Sequence, residues 1–134
     1  MYDKLIPFSF SLGTRTVGST FTGNFRIGIP RRAQMARVLD INCNVTTLFT
    51  QVTTPGFIRV GTAGNNAKFA ELNMGAAPAN AAYNFSDNNG FRDVWRRSVD
   101  AIDELLVTLV APTGGTPAGV ADVHIIVGFD EAYI

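Results

Sequence analysis

A chain of 134 residues is long enough for one two-layer domain and too short for two. Eleven basic and eleven acidic residues give a formal charge of +0, which removes the long-range attraction that nucleic-acid binders and membrane-surface proteins rely on. Neither nucleic acid nor membrane is expected as a partner, and nowhere do about 18 apolar residues run together as a spanning helix requires.

The opening stretch MYDKLIPFSFSLGTR lacks the basic start, apolar run and small-residue cleavage site of a signal peptide, so the chain is expected to be mature, soluble and not exported. Within it, Ile6, Phe8, Phe10 and Leu12 alternate with Pro7, Ser9 and Ser11, and this period of two predicts a strand over Leu5 to Leu12. Pro7 suits an edge position, since it has no N–H to give to a ladder. Residues 1–7, carrying Tyr2 and Ile6, are a candidate arm that adds a strand or an apolar plug to a neighbour. Small residues from Gly13 to Ser19 predict a turn. A second strand follows over Thr20 to Gly28, with Phe21, Phe25 and Ile27 opposing Thr22, Asn24 and Arg26. Ile29-Pro30-Arg31-Arg32 then breaks the pattern.

Met35 to Thr47 is the cleanest strand in the chain. Leu39, Ile41, Cys43 and Val45 fall on one face, and Asp40, Asn42, Asn44 and Thr46 fall on the other. Removing four such side chains from water contributes roughly 6 to 12 kcal/mol as an upper figure, so this strand should anchor one sheet. Leu48 to Val52 can extend it, up to a turn over Thr53 to Gly56. Phe57 to Val60 reads as a short strand, GTAGNNA as its loop, and Lys68 to Met74 as its hairpin partner.

Gly75 to Gly90 has no sustained period and predicts a long contact loop anchored by Tyr83 and Phe85. Phe91 to Arg97 reads as a strand or a single irregular turn. Glu104 to Ala111 is apolar on both faces, which predicts a central strand covered on both sides. After the turn cluster PTGGTPAG the chain returns over Val120 to Phe129, with Val123, Ile125, Val127 and Phe129 on one face, and the two segments read as a long hairpin. About seven or eight strands joined by Gly, Pro and Asn turns predict an all-β domain over residues 1–134, an antiparallel β-sandwich with jelly-roll topology.

The search for chemistry is mostly negative. His124 is the single histidine, and no nucleophile is advertised beside it for a Ser-His-Asp triad. One cysteine and one histidine cannot fill a zinc shell, and Cys43 on an apolar strand face reads as a buried structural thiol. Asp100, Asp103 and Glu104 lack the spacing and loop glycine of a calcium loop. No cofactor, metal or catalytic residue is expected.

What remains points to association. Nine arginines stand against two lysines, Lys4 and Lys68, and surfaces that become interfaces are depleted of lysine, so a homo-oligomer is expected. Arg31 and Arg32 form one arginine group; Arg92, Arg96 and Arg97, set among Asp93, Asp100, Asp103 and Glu104, form another. They make either surface ion pairs or bridges between subunits. Trp95 either fills the core or anchors an interface. The candidate interface is thus Tyr2, Ile6, Arg31, Arg32, Tyr83, Phe85, Arg92, Trp95, Arg96 and Arg97.

The order of GNFRIGIPRRAQMARVLDINCNV, a glycine-rich middle and LLVTLVAPTGGTPAGVADVHIIVGF resembles the small jelly-roll head decoration, or cement, proteins of tailed bacteriophages. That resemblance spans Gly23 to Phe129 and implies a non-enzymatic β-sandwich, commonly a trimer. Such a protein is made in the host cytoplasm and ends on the virion, outside an icosahedral shell, where it clamps neighbouring major capsid protein subunits. The family offers no motif to transfer residue by residue. The alternative is a lectin-like carbohydrate-binding module, with Trp95, Tyr83 or Phe91 as stacking platform, or another virion piece such as a tail or fibre domain or a coat subunit.

Overall fold

The structure, a computed structural model, describes residues 5–18, 20–75, 77–84, 93–100 and 102–130, with 83 and 84 by their backbone alone. The described residues form nine strands in chain order: β1 (Leu5–Thr16), β2 (Gly23–Gly28), β3 (Met35–Thr50), β4 (Phe57–Gly61), β5 (Ala70–Asn73), β6 (Ala81–Asn84), β7 (Trp95–Arg96), β8 (Glu104–Val110) and β9 (Ala118–Asp130). A single helical turn, α1 (Arg97–Asp100), separates β7 from β8.

These strands form two sheets. One has the order β1-β9-β3-β6, with β7 also paired to β3; the other has the order β2-β8-β4-β5. Every described strand pair is antiparallel. The first strand pairs with the last and the second with the last but one, so the chain folds back on itself and rolls up as a jelly roll, in line with the sequence. Alternation explains the core: Ile41, Cys43 and Val45 of β3 and Val123, Ile125, Val127 and Phe129 of β9 face Ile58, Val60, Leu105, Val107 and Leu109 of the other sheet, and all are buried.

Several sequence expectations are corrected. The face assigned to Leu39 is wrong: the register slips between Val38 and Asp40, so Val38 enters the core and Leu39 lies only half-buried. A β-bulge puts two residues against one and moves everything before it to the other face. Similarly, β1 passes through the expected turn at Gly13 and continues to Thr16, because a bulge between Ser11 and Gly13 absorbs the glycine. Leu5 to Pro7 are not a free arm; they pair with Asp130, Phe129 and Gly128 of β9, while residues 1–4, with Tyr2, lie outside the described residues.

In the stretch read as a loop, Ala81 to Asn84 form β6 against Asn42 to Val45. Its alanines gave no pattern to read, since backbone hydrogen bonds rather than apolar side chains place it. Finally, β8 and β9 are not a hairpin: residues 111–117 carry the chain from one sheet to the other, β8 lying between β2 and β4, and β9 between β1 and β3. Nor is β8 covered on both sides, for Leu105, Val107 and Leu109 are buried while Leu106 and Val110 are half-buried.

Candidate functional site

Antiparallel strands send alternate connections to opposite ends of the sandwich. The described residues of 29–34, 62–69 and 93–103 gather at one end; those of 17–22, 51–56, 74–80 and 111–117 gather at the other. The two ends differ in chemistry.

The first end brings Arg31 and Arg32 together with Arg96 and Arg97. Arg97 donates from its backbone N–H to the Gln34 carbonyl at 3.0 Å, from Nε to the Ala33 carbonyl at 2.9 Å and from a terminal nitrogen to the Pro30 carbonyl at 3.0 Å. It also pairs with Asp103, and its guanidinium stacks 5.1 Å from the Trp95 ring centre. A planar guanidinium with five donors suits this multiple role. Arg97 therefore clamps the β2–β3 loop to α1 within the chain and is removed from the candidate interface. Trp95 is 0% exposed, with its indole N–H donating to the Ile102 carbonyl at 3.1 Å, so it fills the core and cannot be a surface anchor or a sugar platform.

The carboxylates here are also committed. Asp100 pairs with Lys68 and accepts the Arg96 backbone N–H at 2.7 Å, Glu104 pairs with Arg26, and Asp130 accepts the N–H groups of Gln34 and Met35 at 3.2 and 2.8 Å. Asp100 and Glu104 turn to separate cations and Asp130 to backbone N–H groups rather than converging, and no group of His, Cys, Asp and Glu able to hold a metal occurs among the described residues. Arg31, Arg32 and Arg96 are exposed, the last 4.0 Å from Asp93. Ile6 is half-buried in β1. Tyr83 lies on β6 opposite Cys43 by its backbone, and Phe85 and Arg92 are outside the described residues.

Cys43 is buried, and burial first, then the charge of Asp40, pushes its thiol from 9.0 up to about 12. It stays protonated at neutral pH and is no nucleophile. His124 sits half-buried on the outer face, opposite Asn42 and Ser11, with no serine–histidine hydrogen bond among the described contacts.

The second end was missed in the sequence. Its four connections contain no Lys, Arg, Asp, Glu or His, although the chain has 22 residues of the first four kinds. The signal was present as four uncharged turn clusters, but only the topology reveals that they meet. Two of them are tied rigidly: Thr54 and Thr113 exchange backbone hydrogen bonds at 3.2 and 2.9 Å, Thr53 donates to the same Thr113 carbonyl at 2.9 Å, and Ala118 donates to the Thr50 hydroxyl at 3.1 Å. Gly114, at φ +93°, passes so close to Thr53 that a Cβ would strike its backbone nitrogen and hydroxyl. On this platform Val52 is 79% exposed and Leu48 48% exposed.

The grooves described are shallow. One of about 480 Å³ runs along Asn24, Thr108 and Val110, and another of about 270 Å³ lies between Asn44, Thr46 and Asn80; neither is lined by an aromatic ring. No protein-family model matches the chain, and no curated protein matches it.

Proposed function

We propose that the chain is a structural virion protein: a decoration, or cement, protein that assembles with itself and binds the outer surface of an icosahedral phage head through the major capsid protein, without catalysis. The observation that carries this reading is the end of the jelly roll whose four connections contain no charged residue. Four connections that contain no charged residue, two of them tied together, with Val52 and Leu48 exposed and Arg15 reaching in from β1 only to the Thr20 carbonyl, suit docking on another protein, where charged groups are depleted at the centre of contact. Many identical weak contacts of this kind, repeated over a shell, stabilise the state that offers them by mass action. The resemblance of Gly23 to Phe129 to decoration proteins supports the same reading. The carbohydrate-binding alternative loses its main platform with the burial of Trp95.

Co-sedimentation of the purified protein with expanded and unexpanded heads, assembled from the major capsid protein of the same genome, tests the proposal. Binding to expanded heads is expected, with Val52→Glu combined with Leu48→Glu weakening it by about tenfold or more. No binding to expanded heads, or full binding by the double variant, would overturn it.

A further inference from the structure

The first strand has one partner where its neighbours have two. β1 ends the order of its sheet, and among the described residues nothing pairs with its other edge. Long unpaired edges are ordinarily blunted by lysine, inward charge or covering loops. From Leu5 to Ser11 this edge carries no charged residue, and the ladder to β9 runs without a slip. Past the bulge, Arg15 folds back to donate from Nε to the Leu12 carbonyl at 2.7 Å and lies 4.6 Å from the Phe25 ring centre, so the regular free edge is Leu5 to Ser11. At its middle stands Phe8, 38% exposed although it shares the core-facing side of the sheet with Phe129, 5.7 Å away between ring centres.

The segment Leu-Ile-Pro-Phe-Ser-Phe-Ser is self-complementary in the antiparallel sense. Reversed on itself about Phe8, it sets Ile6 against Phe10, Phe8 against Phe8, and Pro7 against Ser9. Directly opposite residues in an antiparallel pair point to the same face, so every apolar side chain meets an apolar one on the core side. Pro7 removes at most one donor from each strand of such a ladder.

We infer that β1 pairs with β1 of a second copy of this chain, antiparallel about a two-fold axis at Phe8, so that the two larger sheets become one continuous sheet. The inference is independent of the capsid reading, and it closes at two copies where the resemblance implies three.

Sedimentation velocity and light scattering over a range of concentration test it, with the far-UV spectrum checking that each variant folds. The wild type is expected to dimerise, and Phe8→Lys, which sets like charges face to face on the axis, to raise the dissociation constant by about fivefold or more. In a second arm, diamide, which takes up two electrons and two protons, is added to Phe8→Cys and to Ser11→Cys. The first places its thiols across the axis within disulfide reach and cross-links; the second places them about 20 Å apart and does not. Buried Cys43 does not compete. A strict monomer, a trimer insensitive to Phe8→Lys, or equal cross-linking of the two cysteine variants would each overturn the inference. Capsid binding by a monomer would overturn it and leave the capsid-binding part of the proposed function standing without its self-assembly; dimerisation without capsid binding would uphold it and overturn the proposed function.

Discussion

Arg96 and Arg97 are neighbours in sequence with opposite fates. Arg97 serves the carbonyls of Pro30, Ala33 and Gln34, whereas the Arg96 side chain is exposed beside Asp93. Arg97→Ala should therefore lower stability by about 2 kcal/mol, because the Ala33 carbonyl loses its donor and the contacts to Asp103 and Trp95 go with it, while Arg96→Ala should stay within about 0.5 kcal/mol. Urea denaturation of both variants checks the contrast, and Arg97→Lys should recover little, since an ammonium cannot reproduce the planar fork. In the sequence the two arginines are indistinguishable. The partners that separate them lie 64 and 67 residues away, at Ala33 and Pro30, beyond any local pattern. Cys43, by contrast, was legible, because its burial follows from the strand's period alone. Its raised thiol gives a further expectation. Up to pH 9.0 the folded and unfolded chains both hold the proton and the contribution of the group is whole; from there to about 12 the unfolded chain releases it first, so stability declines. Urea midpoints against pH for the wild type and Cys43→Val should diverge in that window and run parallel below it.

At the scale of elements, period and punctuation located β1, β2, β3, β4, β5, β8 and β9, since each buries one face or one row of side chains. They failed where no apolar row exists, as in β6, and where one residue too many changes the face, as at Leu39. Strand partners were less legible still. Turn residues between β8 and β9 predict a reversal, but a reversal inside one sheet and a crossing between two sheets use the same Gly and Pro chemistry. The loop's own bonding continues the β4–β8 ladder past its strands: Thr113 is held by Thr53 and Thr54, on the connection that brings the chain from β3 to β4. Gly114→Val should break this tie. It adds a side chain where φ is +93° and where Thr53 leaves no room, so a loss of about 2 kcal/mol is expected, with amide exchange at Thr53 and Thr54 accelerated well before that of β3. An unchanged exchange rate there would mean that the two loops are not coupled.

For the whole molecule, the distribution of charge matters more than its sum. A net charge of +0 suggests a bland surface, yet the connections at one end contain no charged residue and are reached only by Arg15 of β1, while the other end is crowded with Arg31, Arg32, Lys68, Asp93, Arg96, Asp100 and Asp103. If the uncharged connections make the contact with the shell, attachment should survive high salt, because there are no ion pairs for salt to screen. Co-sedimentation with heads in about 1 M salt should match that in dilute buffer, where the Debye length falls from about 10 to about 3 Å between 0.1 and 1 M. A steep loss of binding would instead place the contact at the arginine end.

The pairing of Leu5 with Asp130 also sets how the molecule answers to force. These residues sit side by side at the same end of two antiparallel strands, so tension between them opens the β1–β9 ladder one rung at a time. Tension between residues at opposite ends of one sheet must instead shear a whole ladder at once. Single-molecule stretching should find the first geometry giving way at much lower force. If the protein clamps a shell as proposed, it would hold best when the load enters through its loops and flanks, and worst when it enters at Leu5 and Asp130.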